Sequence, residues 1–207
     1  MSKKSIIISI LSFIVFFSAI DGNATLTPEQ IAQKAASVIS NSKSISAAFT
    51  LSGNGRKSTG TLKSSGNKFA VILPEVSSWY NGTFLYTYNP RIGETTVTTP
   101  TAVELMESNP LLYVKGGGSQ YTYKFSPVKR NGKYVIDLFP MKDKSGVKKL
   151  TFTINSSNFH TEKIVVTTSG GAMTIDVTSF IPGAGMSDSE FEYPKLKYPK
   201  AEIIDLR

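Results

Sequence analysis

The stretch NGTFLYTYNP, residues 81 to 90, sets aromatic side chains in alternation between two turn signals. Extended backbone has a side-chain period of two, so Phe84, Tyr86 and Tyr88 fall on one face and Leu85 and Thr87 on the other. Asn81-Gly82 supplies the positive φ that a tight turn requires, and Asn89-Pro90 ends the run. A strand this aromatic on one face has to bury that face.

The same grammar runs through most of the chain. Asn131-Gly132 and Gly170-Gly171 also separate β-rich runs, and NSSN (155–158) and DKSG (143–146) read as longer turns. Phe69, Val71 and Leu73 align on one face, as do Tyr121, Tyr123 and Phe125; Tyr134, Ile136 and Leu138; Leu150, Phe152 and Ile154; and Met173, Ile175 and Val177. The positions between them in the last three strands are largely Thr, Asp, Asn or Val. This pattern predicts an antiparallel meander with one wet and one apolar face.

Helical signals occur in two places. In LTPEQIAQKAASVISNSK, Thr27 is an N-cap, Pro28 the first helical residue, and Gln30 completes a capping box. Leu26 and Ile31 form a staple, and Ile31, Ala35, Val38 and Ile39 make one apolar stripe. The second place is TPTAVELMESNPLLYVKGGG (99–118), a two-piece insert with a capping box from Thr101 to Glu104, Asn109-Pro110 opening its second piece, and Gly116 to Gly118 ending it.

An apolar sheet face is buried by closure, by a second sheet or by helices. One amphipathic helix and a broken, shorter one cover a sheet of about eight or more strands incompletely, leaving a cavity suited to an apolar ligand. The expected fold is therefore mainly β with an α lid. A sandwich or barrel filled by its own aromatics is the alternative. If there is a cavity, alternation and the facing insert nominate its wall: Phe49, Leu51, Phe69, Val71, Trp79, Phe84, Tyr86 and Tyr88 from the strands, with Leu105, Met106, Leu111 and Leu112 from the lid.

Composition narrows the rest. With 207 residues, 40% apolar and 18% charged, one core is the expectation. Absence of Cys removes disulfides, thiolate metal sites, a Cys nucleophile and a lipid-modified N-terminal cysteine. Lys3 and Lys4 precede an apolar run of 15 residues (6 to 20), short of a bilayer span, and Gly22 and Ala24 fit a cleavage site. Residues 1–24 thus read as a cleaved signal peptide and 25–207 as one exported domain. Cleavage removes two lysines and one aspartate, taking the net charge from +8 to +7.

The basic balance does not point to nucleic acid, because the lysines are scattered or sit in turns such as KDKSGVKK and YPKLKYPK, with no arginine stripe on a helix. Such surfaces on exported proteins meet anionic membranes or acidic partners, or are simply solvated. An enzyme is not expected. The one histidine, His160, lies in a polar turn without a nucleophile elbow or metal-ligand spacing, and Asp188 and Glu190 read as acids of a solvated loop.

The N-terminal helix leading into SISAAFT, the block NGTFLYTYNPRIGETTV, the insert with ESNPLL, and the ending FEYPKLKYPKAEIIDLR together resemble the LolA family of periplasmic lipoprotein carriers. The similarity runs co-linearly along the whole chain after residue 24. It implies an unclosed antiparallel β-barrel under a helical lid, an apolar cavity for acyl chains, and no cofactor. Implied partners are acylated lipoproteins, an inner-membrane ABC transporter and an outer-membrane acceptor, served by a periplasmic monomer that carries no nucleic acid. One departure stands out. Family members commonly carry a basic residue and Pro before the strand here written NKFAVIL, with an arginine that latches the lid, whereas this chain has Ser65, Gly66 and Asn67; Lys68 and Arg56 are the candidate substitutes. An exported binder of another lipid or glycolipid, and a structural β-sandwich, remain alternatives.

Overall fold

A computed structural model describes residues 25–115, 120–142 and 146–207. The expected signal peptide, Gly116 to Gly118 and most of the DKSG turn lie outside the described residues. Helix α1 (Pro28–Asn41) opens the fold, and its capping box forms as expected, with the Gln30 amide donating to Thr27 Oγ1 at 3.2 Å and the Thr27 amide to Gln30 Oε1 at 2.9 Å. A meander follows: β1 (Ser44–Gly53), β2 (Arg56–Ser65), β3 (Lys68–Ile72), β4 (Ser77–Tyr80), β5 (Leu85–Asn89) and β6 (Glu94–Thr98). The insert supplies α2 (Ala102–Ser108) and α3 (Leu111–Lys115). A second meander, β7 (Tyr121–Phe125), β8 (Lys133–Pro140), β9 (Val147–Asn155), β10 (Thr161–Thr168) and β11 (Gly171–Pro182), leads through a 3-10 turn (Asp188–Phe191) to β12 (Glu202–Asp205).

These strands form one 12-stranded sheet in the order β12-β6-β5-β4-β3-β2-β1-β11-β10-β9-β8-β7. The two meanders join where β1 pairs with β11, in a ladder that shifts register between Ala48 and Phe49. An irregularity of this kind bends a strand and tightens its twist. Strands β12 and β7 are the free edges, so the barrel is unclosed between them. Antiparallel pairing places the β1/β2, β3/β4, β5/β6, β8/β9 and β10/β11 turns at one end, termed upper below.

The inner face carries the main core. Ile31, Ala35 and Ile39 of α1 pack with Leu62, Phe69 and Val71 of the first meander and with Ile136, Phe152, Ile164 and Ile175 of the second. Residues so far apart along the sheet can share one cluster only because the sheet curves around the helix. Ile31, Ile136, Leu138, Leu150 and Ile154 are fully buried in this core.

The outer face of β3–β6 is not wet. Residues 183–201 cross it as a strap whose Phe191 and Tyr193 bury against Ala70 and Trp79. The Trp79 and Tyr193 rings meet edge-on at 5.6 Å, Tyr86 stacks on Tyr193 at 5.8 Å, and Tyr88 lies 4.1 Å from Tyr198. Thr95 Oγ1 donates to the Tyr193 hydroxyl at 2.9 Å inside this layer. The strap then turns back as β12, parallel to β6. Strand β5 therefore buries side chains on both sides: Leu85 belongs to the main core, and Tyr86 and Tyr88 face the strap.

Asp188 and Glu190 do not sit in a free loop. Lys68 Nζ reaches Asp188 at 2.8 Å and Lys63 pairs with Glu190, pinning the 3-10 turn to β2 and β3. The hydrogen bond from Lys63 holds the Glu190 carboxyl below its usual value. A lowered folded-state pKa means the pair stabilises above the ordinary carboxylate range and fades as pH falls through the lowered value. Both side chains are partly exposed, so the aromatic layer should dominate the hold. Phe191→Ala is expected to cost about 3–5 kcal/mol in chemical denaturation, and Lys63→Ala no more than about 1 kcal/mol. Fluorescence of Trp79, the chain's one tryptophan and 4% exposed, reads both unfolding and strap release.

Candidate functional site

Space remains at the upper end, where α1 does not reach. A cleft of about 600 Å³ opens there between the lid and the strand ends. Its floor is Leu51, Leu73, Val76, Val166 and Met173 with the ring of Tyr113, and its rim carries Arg56, Lys57, Glu75 and Glu107. Small residues make the room, since Gly53, Gly170, Gly171 and Ala172 line the tips of the β1/β2 and β10/β11 hairpins. Those tips approach closely: a Cβ on Gly53 would lie 3.1 Å from the Ala172 carbonyl oxygen. Next to the floor, the Phe49 ring lies across Gly60, its strand partner, where a Cβ would come within 2.7 Å of both Phe49 and Leu73. Glycine in mid-strand here lets an aromatic lie flat on the sheet.

The two lid pieces are held unequally. In α3, Leu111, Tyr113 and Val114 are buried, and the Leu111 amide donates to Asn109 Oδ1 at 3.0 Å, so Asn109 caps this helix as expected. No residue of α2 is fully buried; Leu105 and Met106 touch the main core from half-buried positions. Among the described residues, no hydrogen bond or ion pair ties α2 or α3 to the sheet. Lys68 is committed to Asp188 on the outer face, Arg56 sits on the cleft rim, and Gly66 lies in a turn at the lower end with φ +60°. Among the described residues, α2 and α3 meet the sheet through apolar contact, without a cationic latch.

Two ionisable groups shape this region. Burial pushes the Tyr113 phenol above its ordinary value, with Glu107 and Tyr121 adding to the rise, so the cleft floor stays neutral there. In the α2 cap, the Thr101 amide and hydroxyl donate to Glu104 at 2.7 and 2.9 Å and hold its carboxyl below the usual value.

Of the twelve nominated wall residues, Leu51 lines the cleft. Phe49, Phe69, Val71 and Leu111 are buried in the filled main core, with Leu105 and Met106 packed on its edge and Leu112 half-buried in α3. Trp79, Tyr86 and Tyr88 belong to the opposite face under the strap. Phe84 sits in the β4/β5 turn beneath the Arg207 guanidinium, 4.6 Å from its ring centre. The expectation that all twelve share one cavity is corrected by the strap, which supplies a second apolar layer for alternate residues of the same strands. The missed floor residues are Leu73, Val76, Tyr113, Val166 and Met173, and the small residues at two hairpin tips were the signal for this end.

This arrangement defines an open half-barrel with a helical lid and an apolar cleft. The family model of the outer membrane lipoprotein carrier protein LolA matches residues 22–170, and the chain belongs to that family. Among solved structures, it is similar to an uncharacterized conserved protein from Thermus thermophilus, at 9% identity and a TM-score of 0.59, covering 85% of this chain and 97% of that one. It is also similar to a LolA superfamily protein from Nitrosomonas europaea (13% identity, TM-score 0.43, 82% and 99% covered). A third neighbour is the Mycobacterium tuberculosis lipoprotein LppX (10%, 0.45, 76% and 96%). No curated protein matches by sequence.

Unequal anchoring has a direct readout. Amides of α2 should exchange with solvent faster than those of α3. Thr101→Ala removes a cap worth about 0.5–2 kcal/mol and should speed α2 further. Because the folded-state pKa of Glu104 is lowered, the cap holds above the ordinary carboxylate range. It weakens as pH falls through the lowered value, so α2 protection, corrected for intrinsic rates, should drop on acidification. Equal protection of the two helices would show that the lid moves as one piece.

Proposed function

We propose that this protein is a periplasmic carrier that shelters the acyl chains of lipoproteins in the upper cleft on the way from the inner to the outer membrane. The observation that carries the reading is the apolar-floored cleft of about 600 Å³ roofed by a helix that is not fully buried. That volume falls within the range of about 300–1,000 Å³ typical of small-molecule pockets. Each methylene withdrawn from water contributes about 0.8 kcal/mol, so a chain of lipid length gains enough to stay bound while the protein diffuses. Release requires that the fit be adaptable. Met173 in the floor and Met106 at the lid edge are flexible, polarizable fillers of the kind that re-pack around variable chains, and α2 can lift without breaking a hydrogen bond to the sheet.

In this reading residues 1–24 direct export and are removed, and residues 25–207 are the carrier. An ABC transporter loads it and an outer-membrane acceptor relieves it, with the exchange at the upper end where the cleft opens. The role needs no catalytic group.

Titration with a fluorescent fatty-acid analogue tests the cleft. Leu51→Glu and Met173→Glu should weaken binding at least about tenfold, because a carboxylate on the floor lacks a buried partner, yet remain folded at the open mouth. Phe69→Glu, at a filled core position, should instead unfold the protein. Full binding by both cleft variants would move the site elsewhere. Mass spectrometry of protein purified from its native envelope should find an acylated protein as cargo, and consistently empty protein would contradict the carrier role.

A further inference from the structure

The strap has a second feature that neither its packing role nor the cleft accounts for. Between Tyr193 and Tyr198, which anchor it to Trp79 and Tyr88, the chain Pro194-Lys195-Leu196-Lys197 makes a tight turn closed by the Lys197 amide donating to the Pro194 carbonyl at 2.9 Å. A second turn follows directly, with the Ala201 amide donating to the Tyr198 carbonyl at 3.1 Å. Leu196 sits on the first turn and is 98% exposed, by far the most exposed large apolar side chain among the described residues. Lys195, Lys197 and Lys200 around it are exposed as well, with Lys197 Nζ lying 5.3 Å from the Tyr198 ring centre. Apolar side chains exposed at the lower end, such as Val128 at 52%, Ile181 at 54% and Leu206 at 62%, keep a third or more of their surface covered.

Position gives the feature meaning. The strap climbs from the 3-10 turn beside Lys63 and Lys68 to Tyr88 and Pro90, then returns as β12 from the Glu202 amide, which donates to the Gly93 carbonyl at 2.9 Å. Its turn therefore stands at the upper end, the end where the cleft opens beside Leu73 and Val76. Acids are present at this end, namely Glu75, Glu94, Glu107 and Glu202, with Glu94 and Glu202 side by side on β6 and β12, but Glu75 is hydrogen-bonded to Ser58 at 2.7 Å and none lies within the turn itself. A leucine held out by a rigid base and ringed by lysines matches the chemistry of an anionic bilayer surface, with apolar insertion at the centre and phosphates around it.

We infer that the turn Pro194–Lys200 is a membrane-docking element that seats on anionic lipid and turns the cleft mouth toward the bilayer. Contact with the membrane stands on the turn alone, whereas its use in presenting the mouth to an acyl chain rests on the carrier reading above.

The test uses protein without cargo, so its outcome is separate from acyl binding. Residues 25–207 are sedimented with phosphatidylcholine vesicles and with vesicles containing phosphatidylglycerol. Binding is expected to the anionic vesicles only and to fall as salt rises. Each lysine near an anionic surface is worth about fivefold in partitioning, so Lys195→Gln/Lys197→Gln/Lys200→Gln should lose about a hundredfold, and Leu196→Glu at least about tenfold. Both changes are at exposed positions, and Trp79 fluorescence checks that the strap stays seated. Since the chain has no native cysteine, a polarity-sensitive label on Leu196→Cys should shift to the blue on anionic vesicles, whereas one on Ser157→Cys, at the lower end, should not. Absence of vesicle binding, equal binding by Leu196→Glu, or a shift at position 157 in place of 196 would each overturn the inference, even if fatty-acid binding in the cleft is intact.

Discussion

Pairing of β1 with β11 is the constraint on which the rest of the molecule depends. Each meander alone would be a sheet with a large apolar face open to water. Zipping them along these two long central strands makes one sheet that curves around α1, and brings Phe69 from one meander into the same cluster as Phe152 and Ile164 from the other. Because β12 and β7 stay unpaired with each other, curvature does not become closure. An open barrel cannot fill its own interior symmetrically. Helix α1 packs its apolar stripe into the main core, the lid covers part of the remainder, and the cleft is what is left.

The outer layer solves a problem that the same sheet creates. Strands β3–β6 are short and lie toward the β12 edge, and their outward Trp79, Tyr86 and Tyr88 would otherwise be a large exposed apolar patch. The strap covers them with Phe191, Tyr193 and Tyr198 and caps the free edge of β6 by parallel pairing. One consequence reaches the upper end, because a strap clamped by aromatic rings at both sides presents its intervening turn rigidly.

Period and turn chemistry made much of this legible in the sequence. Both helical capping boxes, the Asn109 cap and the apolar faces built around Phe69, Ile136, Phe152 and Ile175 follow from local rules that depend on neighbours a few residues away. The side to which Tyr86 and Tyr88 point was not legible. Alternation tells which residues share a face, and it is silent on what covers that face when the cover is a strap without helical or strand period. The expected cavity wall went astray for the same reason, along with a second one: the open volume lies at the hairpin tips, where Gly53, Gly171 and Ala172 are too small to close it.

Carriage and release make opposite demands on the lid, and its construction divides them. Buried α3 ties the insert to α1, leaving α2 as the piece that can yield. With Ser65, Gly66 and Asn67 where the resemblance implies a latch, the described residues of α2 and α3 meet the sheet through apolar contact, which in the proposed carrier favours exchange over long retention. Photo-cross-linking with a diazirine-bearing fatty acid, followed by peptide mapping, tests the central claim most directly. Adducts on Leu51, Tyr113, Val166 or Met173 are predicted. Adducts confined to the outer face around Tyr88 and Tyr198, or none at all, would contradict an acyl site in the upper cleft.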